Sequence, residues 1–552
     1  MGTSPKGCKS PADPEPALES NLEVNMKTVK SLILGSAAGL VAMSGAQAAD
    51  LPIKAKAVEY VRVCSLYGAG FFYIPGSDTC IKLGGYLRVD TTFNGGIYDQ
   101  PAWSGDLGQG NRFRDYYATR SRMALTVDTR TATEYGVVRT FAQGDFNFDT
   151  LGNTTQNPAA LSTTLGNNPN LLSSTGGGYV TVENVFIQFA GFTIGKSASA
   201  YATPWQGYAG NQNTSFLIGG HDDVTGTPNI QYTAQFGNGI SGTIGLDDPT
   251  VYNRTAIYNL SAGLNAIGQS ATNAYAGVQV PDIVGNIRVD QAWGLFQLSG
   301  ALHEVDASYN NLTPAVAGGS PVNNLSMISG HPASKWGGSV MAALQLKNLP
   351  TGNGDDIKFD ATYAIGDTKN VISTSGPSPS FAMFGGGGAG TFGSVGFGAT
   401  TDAVYSPVAN GGTGDLKLTT AFGVRGAFNH NWDPYWSSSL FGGMGWVRYG
   451  GTAGNLTTAA GQYCAAYYKE IGVANMATST CNPNYSISML GAITRWTPVK
   501  NLTFSAEAIW THLNTGFTGT ATITPTAPLP TSTYQFKNQD TVSFNVRAQR
   551  NF

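Results

Sequence analysis

Charged residues recur two apart along this chain: Arg88 with Asp90, Arg120 with Arg122, and Arg288 with Asp290. Arg425, Asp128, Asp360 and Glu507 stand in similar alternating runs. In a strand, side chains two apart share a face, so Arg88, Arg120, Arg122, Arg288 and Arg425 are expected on one wetted surface with those acids. Arg88, Arg120 and Arg122 fall near the middle of two successive runs and are expected to form one basic patch. Charges so arranged can set up a fixed field that sorts ions and orients polar solutes, as rings of charged side chains do in a pore.

Covalent chemistry has weaker support. Ser299 and His303 share one face of one run, but no partner acid is specified, and a nucleophile needs its base within hydrogen-bond reach. The five histidines (His221, His303, His331, His430, His512) are scattered, without a metal-ligand spacing. Gly195 and the many Gly-x-Gly pairs lack the strand-to-helix context of a phosphate loop. No enzyme, metal or cofactor is expected. The formal charge of -3 excludes a strongly basic nucleic-acid binder.

The elements that must carry these charges read as strands. In 82–93, Leu83, Leu87, Val89 and Phe93 oppose Lys82, Tyr86, Arg88 and Asp90. In 116–127, Tyr117, Met123, Leu125 and Val127 oppose Arg120, Arg122 and Thr126. In 355–365, Ile357, Phe359, Ala361, Tyr363 and Ile365 oppose Asp356, Lys358, Asp360 and Thr362. The last strand, 540–552, sets Val542, Phe544, Val546, Ala548 and Phe552 against Thr541, Ser543, Asn545, Arg547 and Gln549, and the chain stops on the bare aromatic. Arg550 interrupts the apolar face where it could reach headgroups. Arg139 shares its face with Tyr135, Val137 and Phe141. A charge toward lipid at mid-depth costs about 2–4 kcal/mol, so the run is expected to be out of phase there, through a bulge. The run 179–189 is apolar on both faces, with Val180, Val182 and Phe186 against Val185, Ile187 and Phe189, which is compatible with a wall buried against a neighbour.

Composition and spacing choose a membrane barrel over a soluble sandwich. Charged residues are 12% of the chain, where about 25% is usual. Glycines number 72 of 552, well above the usual ~7%. The mean hydropathy is only -0.10, and no mature run of eighteen apolar residues offers a helical span. Tight turns are expected near 128–133, 190–191, 237–239, 292–294, 348–354, 430–434 and 497–501. Long gaps fall between them: 94–115, 147–178, 197–227, 248–284, 306–335, 366–417, 449–484 and 513–538. Eight long loops alternating with seven turns give sixteen antiparallel strands, with both termini on the short-turn side, as a closed bacterial barrel requires. The loops are rich in Asn, Gly, Thr, Ser and Pro, and 384–390 (F-G-G-G-G-A-G) is expected to be mobile. Trp436, Trp446, Trp496, Trp510, Tyr117 and Tyr363 are expected on the lipid side or in an interfacial girdle.

Residues 26–48 read as a secretory leader, with Lys27 and Lys30 first, an apolar stretch over 31–43, and Ala46-Gln47-Ala48 as the cleavage site. The mature chain is then 49–552, and 1–25 is expected to be an upstream extension from a start placed too early. Cys64 with Cys80 and Cys464 with Cys481 are the economical local disulfides of an exported protein.

The block 60–85 (Y-V-R-V-C-S-L-Y-G-A-G-F-F-Y-I-P-G-S-D-T-C-I-K-L-G-G), the Y-L-R-V-D that follows, the leader M-K-T-V-K-S-L-I-L-G-S-A-A-G-L and the terminal Phe552 resemble the alphaproteobacterial general porins. The resemblance extends over the mature chain. It implies a homotrimer of sixteen-stranded transmembrane barrels in the bacterial outer membrane, among lipids and lipopolysaccharide. The function it implies is passive diffusion of ions and small hydrophilic solutes. It also implies a loop folded into the lumen after the fifth strand, which ends at Phe192-Thr193-Ile194-Gly195-Lys196. That loop carries Tyr201, Trp205, Tyr208, His221, Asp222 and Asp223, and Asp222 and Asp223 are expected to face the basic patch across the pore. With so few acids the field should lean positive and favour anions. The aromatic cluster keeps a solute-specific channel, for a sugar or an anion, as the alternative. Phe544, Val546 and Phe552 on the last strand are expected to be what the barrel assembly machinery reads.

Overall fold

The computed structural model describes residues 62–96, 116–150 and 178–552, apart from 216, 223, 251–254, 266, 269–272, 312–328, 373–379 and 526–528. The leader and the upstream extension lie outside these, as does Asp223. Sixteen antiparallel strands close a barrel. They are β1 (Thr79–Phe93), β2 (Tyr117–Thr133), β3 (Gly136–Asp149), β4 (Gly178–Phe189), β5 (Phe192–Ser197), β6 (Thr227–Gly237), β7 (Ile240–Asp247) and β8 (Asp282–Gln291), followed by β9 (Gly294–Val305), β10 (Lys335–Lys347), β11 (Asp356–Ile365), β12 (Thr420–Asn431), β13 (Trp436–Arg448), β14 (Tyr485–Val499), β15 (Leu502–Thr515) and β16 (Gln539–Asn551). Neighbours in sequence are neighbours in the sheet, and β16 returns to β1 with Phe544 opposite Phe93 and Asn551 opposite Tyr86. A short piece, Phe72–Tyr73, pairs with the start of β1, where the Cys64–Cys80 disulfide pins it.

Period-two alternation explains why these segments close into a cylinder. On β1, Leu83, Leu87 and Val89 are 52–54% exposed while Asp90 is 1% exposed. On β11, Ile357, Phe359, Tyr363 and Ile365 are exposed and Asp360 is buried; β16 repeats this with Val542, Phe544 and Val546 outside and Asn545 and Arg547 inside. Side chains that a soluble sheet would bury point away from the protein, which is the lipid side of a barrel. Arg550 turns back to the Lys500 carbonyl at the neighbouring turn, 2.7 Å away. Tight turns close one end. In 190–191 and 238–239 both central residues have positive φ, 48° and 88° for Ala190 and Gly191 and 49° and 73° for Asn238 and Gly239, which matches the twist of the flanking strands.

Strand β4 corrects the two-faced reading of 179–189. Gln143 pairs with Asn184 and Gly144 with Val182, so Glu183 is an extra residue in β4. This bulge exchanges the faces of everything after it, and Val180, Val182, Val185 and Ile187 all face outward, 47–54% exposed. The outward face is apolar, and the inward one carries Glu183, Asn184 and Gln188 with Phe186, which stacks on Phe141 beneath the Arg139 guanidinium. The bulge expected near Arg139 is therefore on the neighbouring strand. Arg139 shares the inward face of β3 with the buried Asp145, Asn147 and Asp149, and it pairs with Asp128 at 3.1 Å and Gln188 at 2.9 Å.

Among the described residues, three of the long loops, 366–417, 449–484 and 513–538, fold together, which their polar composition did not suggest. Segments Ser380–Gly386, Gly393–Ala399, Ser532–Phe536, Thr518–Ile523 and Ser479–Thr480 form a second sheet. Helix α1 (Ala459–Ile471) packs beside it, with Thr458 accepting the Gly461 N–H at 3.2 Å and Cys464 bonded to Cys481. Phe397 and Phe517, ring centroids 4.3 Å apart, centre an apolar core with Tyr467 and Phe536. The glycine run expected to be mobile begins inside a strand of this sheet, where Phe384 meets Tyr534 edge to face. That core continues into the barrel: Phe441, Ile487, Ile493, Ile509 and Leu513 point inward and pack in one cluster with Leu217, Ile218, Val371 and Ile372. The interior of the barrel is therefore part packed core and part polar, and the β13–β15 strands carry residues of both kinds.

Candidate functional site

The loop 198–226 leaves β5 and crosses the barrel interior. Tyr201 is buried in a cluster with Val284, Ala301 and Met341 on β8–β10, and the Ala202 carbonyl takes the Gln297 amide at 2.8 Å. The Trp205 indole N–H donates to Asp360 on β11 at 3.1 Å. At the far wall the backbone N–H groups of Gln212, Asn213 and Thr214 converge on the Glu507 carboxylate at 3.0, 3.1 and 2.8 Å. Arg495 donates to the Gly210 carbonyl at 2.6 Å, and Arg547 donates to the Asn213 carbonyl at 2.8 Å. Acceptors and donors of the loop backbone are thus matched by charged wall residues, as buried polar groups require.

The return limb is set by a close approach. Gly219 has φ 106°, and a Cβ there would lie 2.3 Å from the Val424 carbonyl oxygen, so only glycine lets the loop lie this near β12. Its N–H donates to the Val371 carbonyl at 3.2 Å, which brings in a second inward segment, from the loop after β11. His221 Nδ1 lies 2.6 Å from Asn370 Oδ1 in the same segment.

Strand register explains where the charged residues meet. Asp90 lies directly opposite Arg120 on β2 and Arg547 on β16, and both guanidiniums bond its carboxylate, Arg120 at 2.9 Å. Asp360 lies opposite Arg425, 2.9 Å away, and this pair is fully buried behind the loop. Arg122 is opposite Arg88 and reaches Asp145 at 2.8 Å, Glu183 at 3.2 Å and Asn147 at 2.7 Å. Arg288 donates to Gln297 at 2.8 Å. Arg88 donates to Gln549 at 2.8 Å, with its guanidinium 4.5 Å from the centre of the Tyr86 ring. Asp222 accepts the Val224 N–H at 3.0 Å, packs against Gly207 and acts electrostatically on the buried Lys369.

Beneath the loop lies a cavity of about 670 Å³. Its walls are Tyr86, Arg88, Arg122, Gln143 and Glu183 on one side and Lys358, Asn429, His430, Ser437 and Arg495 on the other, and the loop contributes Gln206, Tyr208 and 210–212. Of the basic residues expected on the wall, Arg88 and Arg122 line it, whereas Arg120 and Arg425 are held in buried ion pairs and Arg288 lies elsewhere on the wall. Burial pushes the Tyr208 phenol up to about 12, so it stays neutral and can donate or accept. Arg495 was not foreseen; its own face of β14 also carries Met489 and Ile493, which masks the alternation. Trp496, exposed beside it, marks the outward face and is the one signal that points Arg495 inward.

The histidine of the possible dyad is also accounted for. His303 Nδ1 lies 2.7 Å from Asp282 and Nε2 lies 2.8 Å from the Tyr275 hydroxyl, while the Ser299 hydroxyl takes the Gln297 amide at 2.9 Å. Serine and histidine are each engaged with other partners.

A family model described as "Porin subfamily" matches residues 50–545. Porin Omp2b of Brucella canis and Porin Omp2b of Brucella abortus (strain 2308) are each 35% identical to this chain over 272 residues, 48% of this chain and 63% of theirs. The match thus spans less than two thirds of these curated relatives. The crystal structure of the outer membrane channel DcaP of Acinetobacter baumannii shares the fold, with a TM-score of 0.51 at 12% identity, covering 87% of this chain and 99% of that one.

Proposed function

This chain belongs to the porin subfamily and is placed in the bacterial outer membrane, and on that premise we propose that it forms a water-filled channel for passive diffusion of ions and small hydrophilic solutes. The observation that supports this reading best is the polar cavity of about 670 Å³ between the β1–β4 wall, the β11–β14 wall and the infolded loop. A family of this kind implies a channel rather than an enzyme. Arg88 and Arg122, with the loop around Tyr208, are the assigned constriction. Asp222 is assigned a part in holding the loop, since its carboxylate is turned to the loop backbone.

A solute-specific channel would need an aromatic track along the passage. Tyr201 and Trp205 are buried away from the cavity and Tyr208 alone of the three lines it, which favours the general channel. We also assign residues 26–48 as the leader and 49 as the mature start. Three copies are proposed to assemble among outer-membrane lipids and lipopolysaccharide. The outward apolar face of β16 around Phe544 and Val546, with the terminal Phe552, is assigned to recognition by the barrel assembly machinery.

Liposome swelling tests the channel. Vesicles holding the purified chain should admit arabinose and glucose at rates that fall with solute size. Vesicles that stay as tight as protein-free ones in every sugar would reject the reading.

A further inference from the structure

The charges that line the cavity are unequally balanced. Four cationic side chains, Arg88, Arg122, Lys358 and Arg495, face two carboxylates, Glu183 and Asp356. Both acids are already engaged. Glu183 lies 3.2 Å from Arg122, and Asp356 lies 3.7 Å from Lys358 and also accepts from Asn429. That leaves Arg88 and Arg495, whose hydrogen bonds go to neutral groups: Gln549 for Arg88, and Gln212, Ser439 and the Gly210 carbonyl for Arg495. The carboxylates that act on them from outside the lining, Asp90 on Arg88 and Glu507 on Arg495, are bonded by Arg120 and Arg547 and by the loop amides. Arg88 is also set directly across from Arg122, and like charges so placed oppose folding. A folded wall that keeps them there holds an unspent positive potential over the cavity.

The remaining surface is made of neutral donors and acceptors. Gln143, Asn184, Gln206, Asn211, Gln212 and Asn429 line it with the hydroxyls of Ser437 and Ser438, and the loop residues there bring no acid. From this geometry we infer that the cavity is a binding site for small oxyanions, carboxylate or phosphate, gripped by the Arg88 and Arg495 guanidiniums with the amides and serine hydroxyls as further donors. Guanidinium is suited to this because its planar fork matches both groups. The site lies toward the tight turns, since Gly354, His430 and Asn431 belong to its wall. In a bacterial barrel that is the periplasmic end, so an anion should reach it more readily from that side.

The inference rests on the channel reading, and the test separates the two. The full-length chain is placed in a planar bilayer, and the reversal potential is read in a potassium chloride gradient. Inorganic phosphate, succinate or neutral glucose is then added to each side in turn. The wild type should reverse toward chloride, and phosphate and succinate should interrupt the current at lower concentration from the tight-turn side, with glucose inert. Arg88 acts electrostatically on Tyr208 of the loop but, among the described residues, its hydrogen bond goes to Gln549, so Arg88→Gln removes the charge while the loop keeps its bonds to Glu507, Arg495 and Arg547. It should weaken the block about tenfold, the loss of one charge-assisted hydrogen bond, and Arg88→Lys should restore the preference for chloride. Should Arg88→Gln fail to fold, Lys358→Gln serves, with a smaller effect in the same direction. Current that reverses at zero or toward potassium, or block equal for phosphate and glucose, overturns the anion site alone. No current from folded wild type overturns the channel beneath it.

Discussion

The Glu507 carboxylate on β15 lies 2.8 Å from the backbone nitrogen of Thr214, at the tip of the infolded loop. Two further loop amides share the same carboxylate, so Glu507 takes three of the loop's donors while Arg495 and Arg547 take its carbonyls at the same wall. Replacing Glu507 by Gln takes away the charge that these donors face. Charged hydrogen bonds contribute about 1.5–3 kcal/mol each, so Glu507→Gln should lower the unfolding temperature in detergent and make the open-channel current noisy as the loop leaves the wall. Quiet current at wild-type amplitude would show that Arg495 and Arg547 hold the loop without it.

The buried Arg425–Asp360 pair should behave differently when cut on one side or both. Arg425→Met leaves the Asp360 carboxyl buried with, among the described residues, only the Trp205 indole N–H bonded to it, at a cost of about 3–5 kcal/mol. The double variant Arg425→Met with Asp360→Leu should recover most of that. Urea titration of the refolding equilibrium in lipid vesicles reads both; a double variant as unstable as the single would mean that the pair, and not its desolvation, holds the loop.

The bulge at Glu183 makes a prediction from parity. Val182 and Val185 are an odd number apart yet both face outward, so Val182→Arg and Val185→Arg should each cost about 2–4 kcal/mol near mid-depth. Asn184→Arg, facing inward, should be tolerated far better. The same vesicle titration checks all three, and an Asn184→Arg loss equal to that of Val185→Arg would mean the strand is regular.

This bulge also marks the limit of what the sequence discloses. Alternation is plain where one face is apolar and the other charged, as in Ile357, Phe359 and Tyr363 against Lys358 and Asp360, and the disulfides and the order of loops and turns follow from spacing. Once strands are aligned, Asp90 between Arg120 and Arg547 follows as well, because the register sets them opposite. What was not legible depends on contacts between distant segments. Leu217, Ile218, Val371 and Ile372 make inward Ile487 and Ile493 a core, while β14 read alone is apolar on both faces. A one-residue insertion is equally hidden, since Glu183 and Asn184 are both polar. The loop sheet around Phe397 and Phe517 is assembled from three loops, each too polar to announce a core by itself.

Asp367, in the loop just after β11, gives a pH dependence. Burial pushes its carboxyl up to about 7, opposed by the charge of His303 and aided by Asp282 and Asp402. The ordinary value is 3.8, so between these values the folded chain holds a proton that the unfolded chain has lost. Its contribution to stability is full below about pH 4 and is lost as the pH rises through about 7. Asp367→Asn keeps an acceptor for Ser339, 2.7 Å away, and should flatten that part of the profile and gain stability at pH 8. Thermal unfolding in detergent from pH 4 to 8 checks this; an unchanged slope in Asp367→Asn would assign the dependence to another group.

If an open aqueous path runs past the infolded loop, single-channel recording in a planar bilayer will show it. The purified chain should give steady, ohmic current steps, arriving in threes if the proposed trimer inserts as a unit. A chain that folds and inserts but carries no current, with the loop and the apolar core together sealing the barrel, would contradict it.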